Sequence, residues 1–145
     1  SLQLLEALTR SSHAELAAIA SKALKETRYH VRHSSEWVQR LGDGTAESHA
    51  RAQVALDELW PWTGEFSYQD EVDQALHADG IVPELEPLRA PWEVMARDVL
   101  TRATLTIPPW PLRMTGGRFG RHSEHLGHLL AELQIVARSH PGATW

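Results

Sequence analysis

Helical periodicity predicts an all-α fold for this chain of 145 residues. Apolar and small side chains recur at intervals of three and four residues, which places them on one face of an α-helix. Glycine and proline fall between these periodic segments, where they end helices or turn the chain. The alternation of polar and apolar residues that is typical of a half-buried strand is absent from the sequence. Residues 1–145 are therefore expected to form a single helical domain.

The first half of the chain is predicted to contain a short helix followed by a long one. The opening segment SLQLLEALTR is amphipathic from its first residue, so the domain is expected to be incomplete at its N-terminus. Ser12 is a candidate N-cap for the long helix, which is predicted over residues 13–41. The apolar or small side chains that define this helix are Leu16, Ala20, Ala23, Thr27, His30, Ser34, Val38 and Leu41.

A second helix is predicted to follow the long one and to run antiparallel to it. Residues 42–44, GDG, should end the long helix, because glycine readily takes the left-handed conformation that closes helices. Thr45 can cap the next helix, which should end near Trp60, before Pro61. The two helices are therefore expected to form a hairpin. The aromatic segment LWPWTGEF at its end is predicted to be a packing corner.

Three more helices are predicted in the second half of the chain. QDEVDQALHADG should form a short helix ended by Gly80, and another helix is expected over residues 90–105. The segment TIPPWPLRMTGGRFGR should be irregular, since it holds three prolines and three glycines. The final helix is predicted over residues 122–138 and should pack against the hairpin. Its apolar side chains are Leu126, Leu129, Leu130, Leu133 and Val136.

Charge and composition argue against several classes of partner. The formal net charge of −5 comes from 19 acidic and 14 basic residues that are interspersed, so nucleic acid is not an expected partner. The chain has no cysteine, which excludes disulfides and thiolate metal sites. Its apolar runs are far shorter than a bilayer span, and its start lacks the pattern of a signal peptide. No membrane contact and a cytoplasmic location are therefore predicted.

The segment KETRYHVRHSSEW contains an incomplete metal-binding pattern. Di-iron carboxylate bundles use Glu-x-x-His, whose three-residue step directs both side chains at one centre. Here the residue three after Glu26 is Tyr29, and His30 comes one position too late. A pair four residues apart can still bind zinc. The favoured interpretation is a buried polar or ion-pair group that also uses neighbouring basic residues, among them Lys22.

A second histidine-rich segment, GRHSEHLGHLLAE, misses the same pattern in the same way. Glu124 and His128 are four residues apart, and Gly127 stands in the three-residue position. The favoured interpretation is that these histidines flank the apolar face of the last helix. The alternative is a di-metal carboxylate oxidoreductase that combines this pair with Glu26 and His30.

Tryptophan and arginine at loops suggest an interaction surface. Trp contributes a large contact area and a hydrogen-bonding edge, and Arg is also enriched at interfaces. The candidate interface residues are Trp62, Trp110, Arg118 and Phe119. Trp110 is the preferred anchor, and Arg118 is its expected polar neighbour. Packing in core corners explains the tryptophans about as well. The GGRFGR loop lacks the P-loop lysine, so docking is favoured there over phosphate binding.

Three stretches of the sequence carry a resemblance to a known family. They are AAIASKALKETRYHVRHSSEWVQRLGDGTAESHARAQVALDELW, MTGGRFGRHSEHLGHLLAELQ and the terminal PGATW. Together they closely resemble the C subunits of bacterial phenylacetyl-CoA ring epoxidases, the PaaC family, over almost the entire chain. The resemblance implies a ferritin-like helical bundle. This sequence is similar to the C-terminal part of that bundle and lacks the two long helices that come before it.

The resemblance also implies a division of labour within a complex. A homologous A subunit holds the di-iron centre, a reductase supplies electrons, and the PaaC protein is a structural partner that binds no cofactor and is expected to assemble with the others. The stretch from Lys22 to His30 then resembles a degenerate ligand helix, with Glu26 retained and Tyr29 where a histidine ligand would stand. The resemblance therefore implies no catalytic or metal-binding residue in this chain.

Overall fold

The computed structural model describes residues 1–109 and 114–144, which form six α-helices and no strand. The all-α fold class is therefore confirmed for this part of the chain. The helices are α1 Leu2–Leu8, α2 Ala14–Gly42, α3 Ala46–Leu59, α4 Glu71–Ala78, α5 Arg89–Arg102 and α6 His125–Ser139. The chain divides into two compact units, Ser1–Met114 and Thr115–Trp145. The prediction of one single domain over residues 1–145 stays a prediction.

The start of α2 differs from its predicted cap by one residue. The Nδ1 atom of His13, and not a Ser12 hydroxyl, accepts the hydrogen bond from the backbone N–H of Leu16 at 3.3 Å. Ser12 is occupied elsewhere: its hydroxyl donates to the carbonyl of Asp79 at 3.1 Å, and its N–H donates to the carbonyl of Gly80 at 3.0 Å. The prediction for Ser12 was wrong because this serine fastens the chain to the end of α4.

After Thr27, most of the buried residues of α2 differ from those predicted from the sequence. From there the buried face continues through Val31, Ser35, Val38 and Gly42, all buried or half-buried. The predicted positions His30, Ser34 and Leu41 are exposed. A period of 3.6 residues permits a step of either three or four from Thr27, and the step of four places an apolar valine inward and a polar imidazole outward. This offset by one residue decides the environment of the candidate site.

α2 ends at Gly42 without a left-handed glycine, and Gly42 permits a close approach of Ala103. The glycines with positive φ among the described residues are at positions 80, 116, 120 and 142, so the predicted left-handed closure at residues 42–44 was wrong. A Cβ atom built on Gly42 would lie 2.9 Å from the Cβ of Ala103 and closer still to its carbonyl oxygen. The Thr45 cap is confirmed, because its Oγ1 accepts from the N–H of Ser48 at 3.1 Å.

The core of the first unit forms at the predicted packing corner, between the start of the 3-10 helix that follows α3 and the C-terminal end of α5. Its buried members are Trp60, Leu100, Ala103 and Leu105. Trp60 is 5% exposed and stacks on Trp92 with ring centroids 5.9 Å apart. The chain does not break at Pro61 but continues as a 3-10 helix, Trp60–Ser67. The corner predicted from LWPWTGEF is therefore confirmed.

One helix of the second half ends earlier than predicted, and another ends where it was predicted to end. α5 stops at Arg102, since Thr104 takes a left-handed φ of 58°. Leu105 is buried although it lies outside the helix, which explains why its apolar side chain suggested a longer helix. α4 ends at Ala78 before Gly80, whose φ is 70°, as predicted.

The second unit contains α6, which begins at His125, three residues later than predicted. Several apolar side chains of α6 are exposed, and Leu133 is the most exposed of its leucines at 70%. The packing of this helix against the hairpin stays a prediction. In the part of the chain that the structure describes, no helix is both long and apolar enough to span a bilayer.

Candidate functional site

Glu26 and His30 lie one turn apart on the exposed side of α2. The Nε2 atom of His30 is 3.7 Å from Oε1 of Glu26, and their side chains are 63% and 74% exposed. Such a pair in water contributes a few tenths of a kcal/mol, about 0.3–0.5, when the imidazole is charged. The expectation of a buried polar group was therefore wrong, although the pairing itself is present. The cause is the one-residue offset of the buried face.

The basic residues around this pair do not gather on Glu26. Arg28 reaches the other way and forms an ion pair with Glu6 of α1 at 3.2 Å. Arg32 places its guanidinium 5.6 Å from the centroid of the Tyr29 ring. Lys22 is exposed. Of the basic neighbours expected around Glu26, the structure shows His30 in contact with its carboxylate.

Tyr29, which the resemblance places where a histidine ligand would stand, has its ring in a row of aromatic side chains. It stacks on His33 with centroids 5.9 Å apart and an interplanar angle of 15°. His33 in turn meets Trp37 edge to face, at 6.4 Å. A second cation, Arg40, lies 5.5 Å from the centroid of Trp37. Trp37 was not among the residues predicted from the sequence, although the spacing of four residues from Tyr29 to His33 and from His33 to Trp37 indicates one common face.

The second candidate pair lies in the other compact unit. Glu124 is the residue before α6 and has a helical backbone, and its carbonyl accepts from the N–H of Gly127 at 3.2 Å. His128 is exposed within the first turn of α6. Among the described residues, no three or more histidine and carboxylate side chains are grouped so that they could hold a metal ion. Metal content itself stays a prediction, both for the cofactor-free subunit and for the four-residue alternative.

The structure places three of the four interface candidates. Trp62 and Phe119 are exposed, and Arg118 belongs to a 3-10 turn, Gly117–Phe119, that has left-handed glycines on both sides. The turn is closed by a hydrogen bond from the N–H of Arg121 to the carbonyl of residue 116, at 2.9 Å. Trp110 lies outside the described residues. The role of all four candidates as contact residues stays a prediction.

A cleft of about 570 Å³ in the first unit is mostly apolar. Its lining includes Leu2 and Leu5 of α1 and the rings of Phe66 and Trp92. Arg89 is the charged side chain among the described residues of its wall, and it binds Oε1 of Glu93 at 2.7 Å and approaches Glu86 at 4.0 Å. The positive charge of Arg89 is thus balanced inside the protein, and the described lining of the cleft is mostly apolar.

A comparison with known families identifies the family to which this helical chain belongs. All residues from 1 to 145 match the model of one family, described as "Phenylacetic acid catabolic protein" and labelled PaaA_PaaC. The chain belongs to this family. The ferritin-like helical fold expected from the sequence agrees with this membership.

A curated relative of the PaaA_PaaC chain is the C subunit of the 1,2-phenylacetyl-CoA epoxidase of Escherichia coli strain K12. The two sequences are 44% identical over 138 residues, which are 95% of this chain and 56% of the relative. The chain thus spans a little over half the length of the curated protein that it matches. The predicted resemblance to the C subunits is confirmed.

Proposed function

We propose that this PaaA_PaaC chain is a non-catalytic structural subunit of a multicomponent phenylacetyl-CoA ring epoxidase in phenylacetate catabolism. Its role is to pair with a homologous di-iron oxygenase subunit and to stabilise it. The observation that carries the proposal is the 44% identity to an epoxidase C subunit together with a ligand pattern that is broken in sequence and exposed in structure. We place the assembled complex in the cytoplasm, without contact to membrane or nucleic acid.

The geometry at residues 22–30 supports a structural role. A di-iron site needs carboxylate and imidazole ligands that point inward between facing helices. Glu26 and His30 instead point away from the buried face of α2, and Tyr29 is stacked on His33. These side chains do not fit a di-iron centre, so the iron is assigned to the partner subunit.

Exposed apolar side chains support the pairing. Leu129, Leu133 and Val136 are each more than half exposed on α6. Apolar surface left in water costs about 25 cal/mol for each Å², so covering such a face favours association. Trp62, Arg118 and Phe119 remain our candidate contact residues on exposed turns.

The pairing predicts a stable complex of the two proteins. When the complete encoded polypeptide is expressed together with the oxygenase subunit, the two should elute together at a fixed ratio in size-exclusion chromatography. The oxygenase subunit in the complex should also melt at a higher temperature than the same subunit alone, because a bound partner stabilises the folded state. The proposal is contradicted by a stable monomer that has no affinity for the oxygenase subunit.

The metal prediction is tested on this subunit alone. Glu26→Gln removes the carboxylate charge while keeping the size of the side chain, and we expect no change in iron bound per chain by elemental analysis. The matched variant Glu36→Gln, also exposed on α2, serves as a control. Iron at a fixed ratio in the wild type that is lost in Glu26→Gln and kept in Glu36→Gln would establish the alternative instead, a di-metal oxidoreductase using Glu26, His30, Glu124 and His128.

A further inference from the structure

Helix α5 ends in a Schellman motif that has threonine at its left-handed position. The N–H of Thr104 donates to the carbonyl of Thr101 at 3.0 Å, and the N–H of Leu105 donates to the carbonyl of Leu100 at 3.0 Å. In this motif the first of the two donating residues takes a left-handed backbone and is usually glycine. Thr104, with a φ of 58°, is the residue other than glycine that has a positive φ among those the structure describes. A β-branched residue in this conformation is strained.

The same motif ends α4, and there it contains glycine. Gly80, with a φ of 70°, donates its N–H to the carbonyl of His77 at 2.9 Å, and Ile81 donates to the carbonyl of Leu76 at 2.9 Å. Glycine takes this conformation at no steric cost. Ending a helix in this way therefore does not require a threonine, and the strain at Thr104 persists only because other contacts of its segment hold it.

Tertiary contacts hold Thr104 and its two neighbours. The Thr104 hydroxyl donates to the carbonyl of Gly42, at the end of α2, at 3.2 Å. On either side of it, Ala103 is fully buried and Leu105 is buried in the core of the first unit. If α5 continued as a regular helix, Thr104 and not Leu105 would lie one turn beyond Leu100 on the buried side. The left-handed turn thus places an apolar side chain where the regular helix would place a hydroxyl.

Gln53 of α3 binds the backbone of the same segment two residues further on. Its Oε1 accepts from the N–H of Thr106, and its Nε2 donates to the carbonyl of Thr106, both at 2.8 Å. The side-chain amide thus exchanges two hydrogen bonds with this residue, as an opposite residue of an antiparallel strand would. Nε2 also donates to Oδ1 of Asp57 at 2.9 Å. Because a carboxylate only accepts, this contact fixes which end of the amide faces each backbone group of Thr106.

We propose that Gln53 is a latch that selects between two ends of α5. In the latched end, which the structure shows, Thr104 is left-handed and Thr106 is bound to Gln53. In the unlatched end, Thr104 takes a helical backbone and α5 continues toward Pro108, before which a helix stops. Release of backbone strain favours the unlatched end, while the amide pairing and the burial of Leu105 favour the latched end.

The latch sets the course of the chain beyond α5. A change of φ at Thr104 redirects the residues that follow it, and these begin the irregular segment that also contains Arg118 and Phe119. Gln53 is half-buried and Thr106 is exposed, so water competes for the hydrogen bonds between them. Exposed backbone hydrogen bonds of this kind open locally while the helices stay folded. The latch does not depend on the function proposed above.

The sign of one stability difference tests the latch. Thr104→Gly and Thr104→Ala both remove the hydroxyl, so their comparison reports the backbone at this position alone. Glycine is favoured over alanine in a left-handed backbone, and alanine over glycine in a helix. In urea unfolding of the complete encoded polypeptide, we expect the equilibrium constant for unfolding of Thr104→Gly to be about fivefold smaller than that of Thr104→Ala. With Gln53→Ala added to both, the order should reverse by at least about twofold.

Two further variants and a local measurement accompany this comparison. Gln74→Ala truncates an exposed glutamine on α4 and should leave the order at Thr104 unchanged. Gln53→Glu places a carboxylate oxygen against the carbonyl of Thr106 and beside Asp57, so it should act as Gln53→Ala does. Amide hydrogen exchange over residues 103–107 should be at least about tenfold faster in Gln53→Ala, because two hydrogen bonds are lost, and exchange in α1 should stay as in the wild type. Circular dichroism verifies that each variant is folded.

The order of the two Thr104 variants decides the outcome. A reversal caused by both changes at Gln53 and not by Gln74→Ala establishes the latch. Thr104→Gly remaining the more stable variant in every background would mean that Gln53 does not select the end of α5, and the inference is overturned. Thr104→Ala being the more stable variant without any change at Gln53 would mean that the left-handed end is not the one held in solution, which overturns it as well.

Discussion

Replacing Trp60 with alanine is expected to lower the free energy of unfolding by about 3–5 kcal/mol, the range found for deleting a large buried aromatic side chain. Trp60 is buried in the core of the first unit with Leu100 and Leu105, and its ring stacks on Trp92. Truncation removes this packing and leaves a cavity beside the 3-10 helix that begins at residue 60. Urea unfolding followed by circular dichroism measures the loss.

An exposed tryptophan provides the control for this substitution. Trp37→Ala removes a ring of the same size, but that ring is 48% exposed, so we expect a change of less than about 1 kcal/mol. Trp60→Phe should lie between the two alanine variants, because it keeps an aromatic ring in the cavity. Similar unfolding midpoints for Trp60→Ala and Trp37→Ala would show that the corner does not form the core.

Gly42→Ala is expected to destabilise the first unit by about 1–3 kcal/mol, although alanine is the better helix former. The added methyl group would overlap the carbonyl of Ala103, and a backbone atom cannot turn away as a flexible side chain can. α2 and α5 would have to separate, which would weaken the hydrogen bond from the Thr104 hydroxyl to the carbonyl of residue 42, now 3.2 Å long. Thermal unfolding of the variant measures the effect.

Gly127→Ala is the matched substitution without a clash. It lies within α6, and a Cβ atom there meets no other described residue within 4 Å. Alanine should therefore raise the stability of that helix by up to about 1 kcal/mol. A Gly42→Ala protein as stable as the wild type would mean that α2 and α5 can move apart at little cost.

Caps and turns at helix ends could be predicted from the sequence. Which residues of α2 are buried could not, because a step of three and a step of four residues both fit the helical period. The Thr45 cap and the Gly80 turn each depend on one side chain or one backbone angle, so they could be predicted. At Thr27 both His30 and Val31 were within one helical step, and only packing against other helices selects the valine. The cap at His13 depends on contacts of Ser12 with residues almost 70 positions away, which no local pattern contains.

The sequence predicted only part of the candidate site, again because the burial of a residue depends on packing against other helices. The broken spacing at Glu26, Tyr29 and His30 was visible in the sequence, and the family resemblance implies that it is a degenerate ligand helix. The exposure of these residues required the register of α2. The row of rings at Tyr29, His33 and Trp37 was not predicted, because the interface candidates were chosen from predicted helix ends and loops, whereas Trp37 lies within α2. The regular spacing of Tyr29, His33 and Trp37 was the signal available in the sequence.

The outward orientation of Glu26 and His30 has an evolutionary consequence. Side chains that are mostly in water contribute little to the free energy of unfolding, so selection for a folded chain alone does not hold these two positions. Single substitutions at Glu26 and His30 are therefore expected to be close to neutral for stability. Thr27 and Val31, each one residue further along the chain, are half-buried, so substitutions there are expected to lower the free energy of unfolding more. Substitutions on the two sides of α2 are therefore expected to differ in their effect on stability, although the positions are neighbours in the sequence.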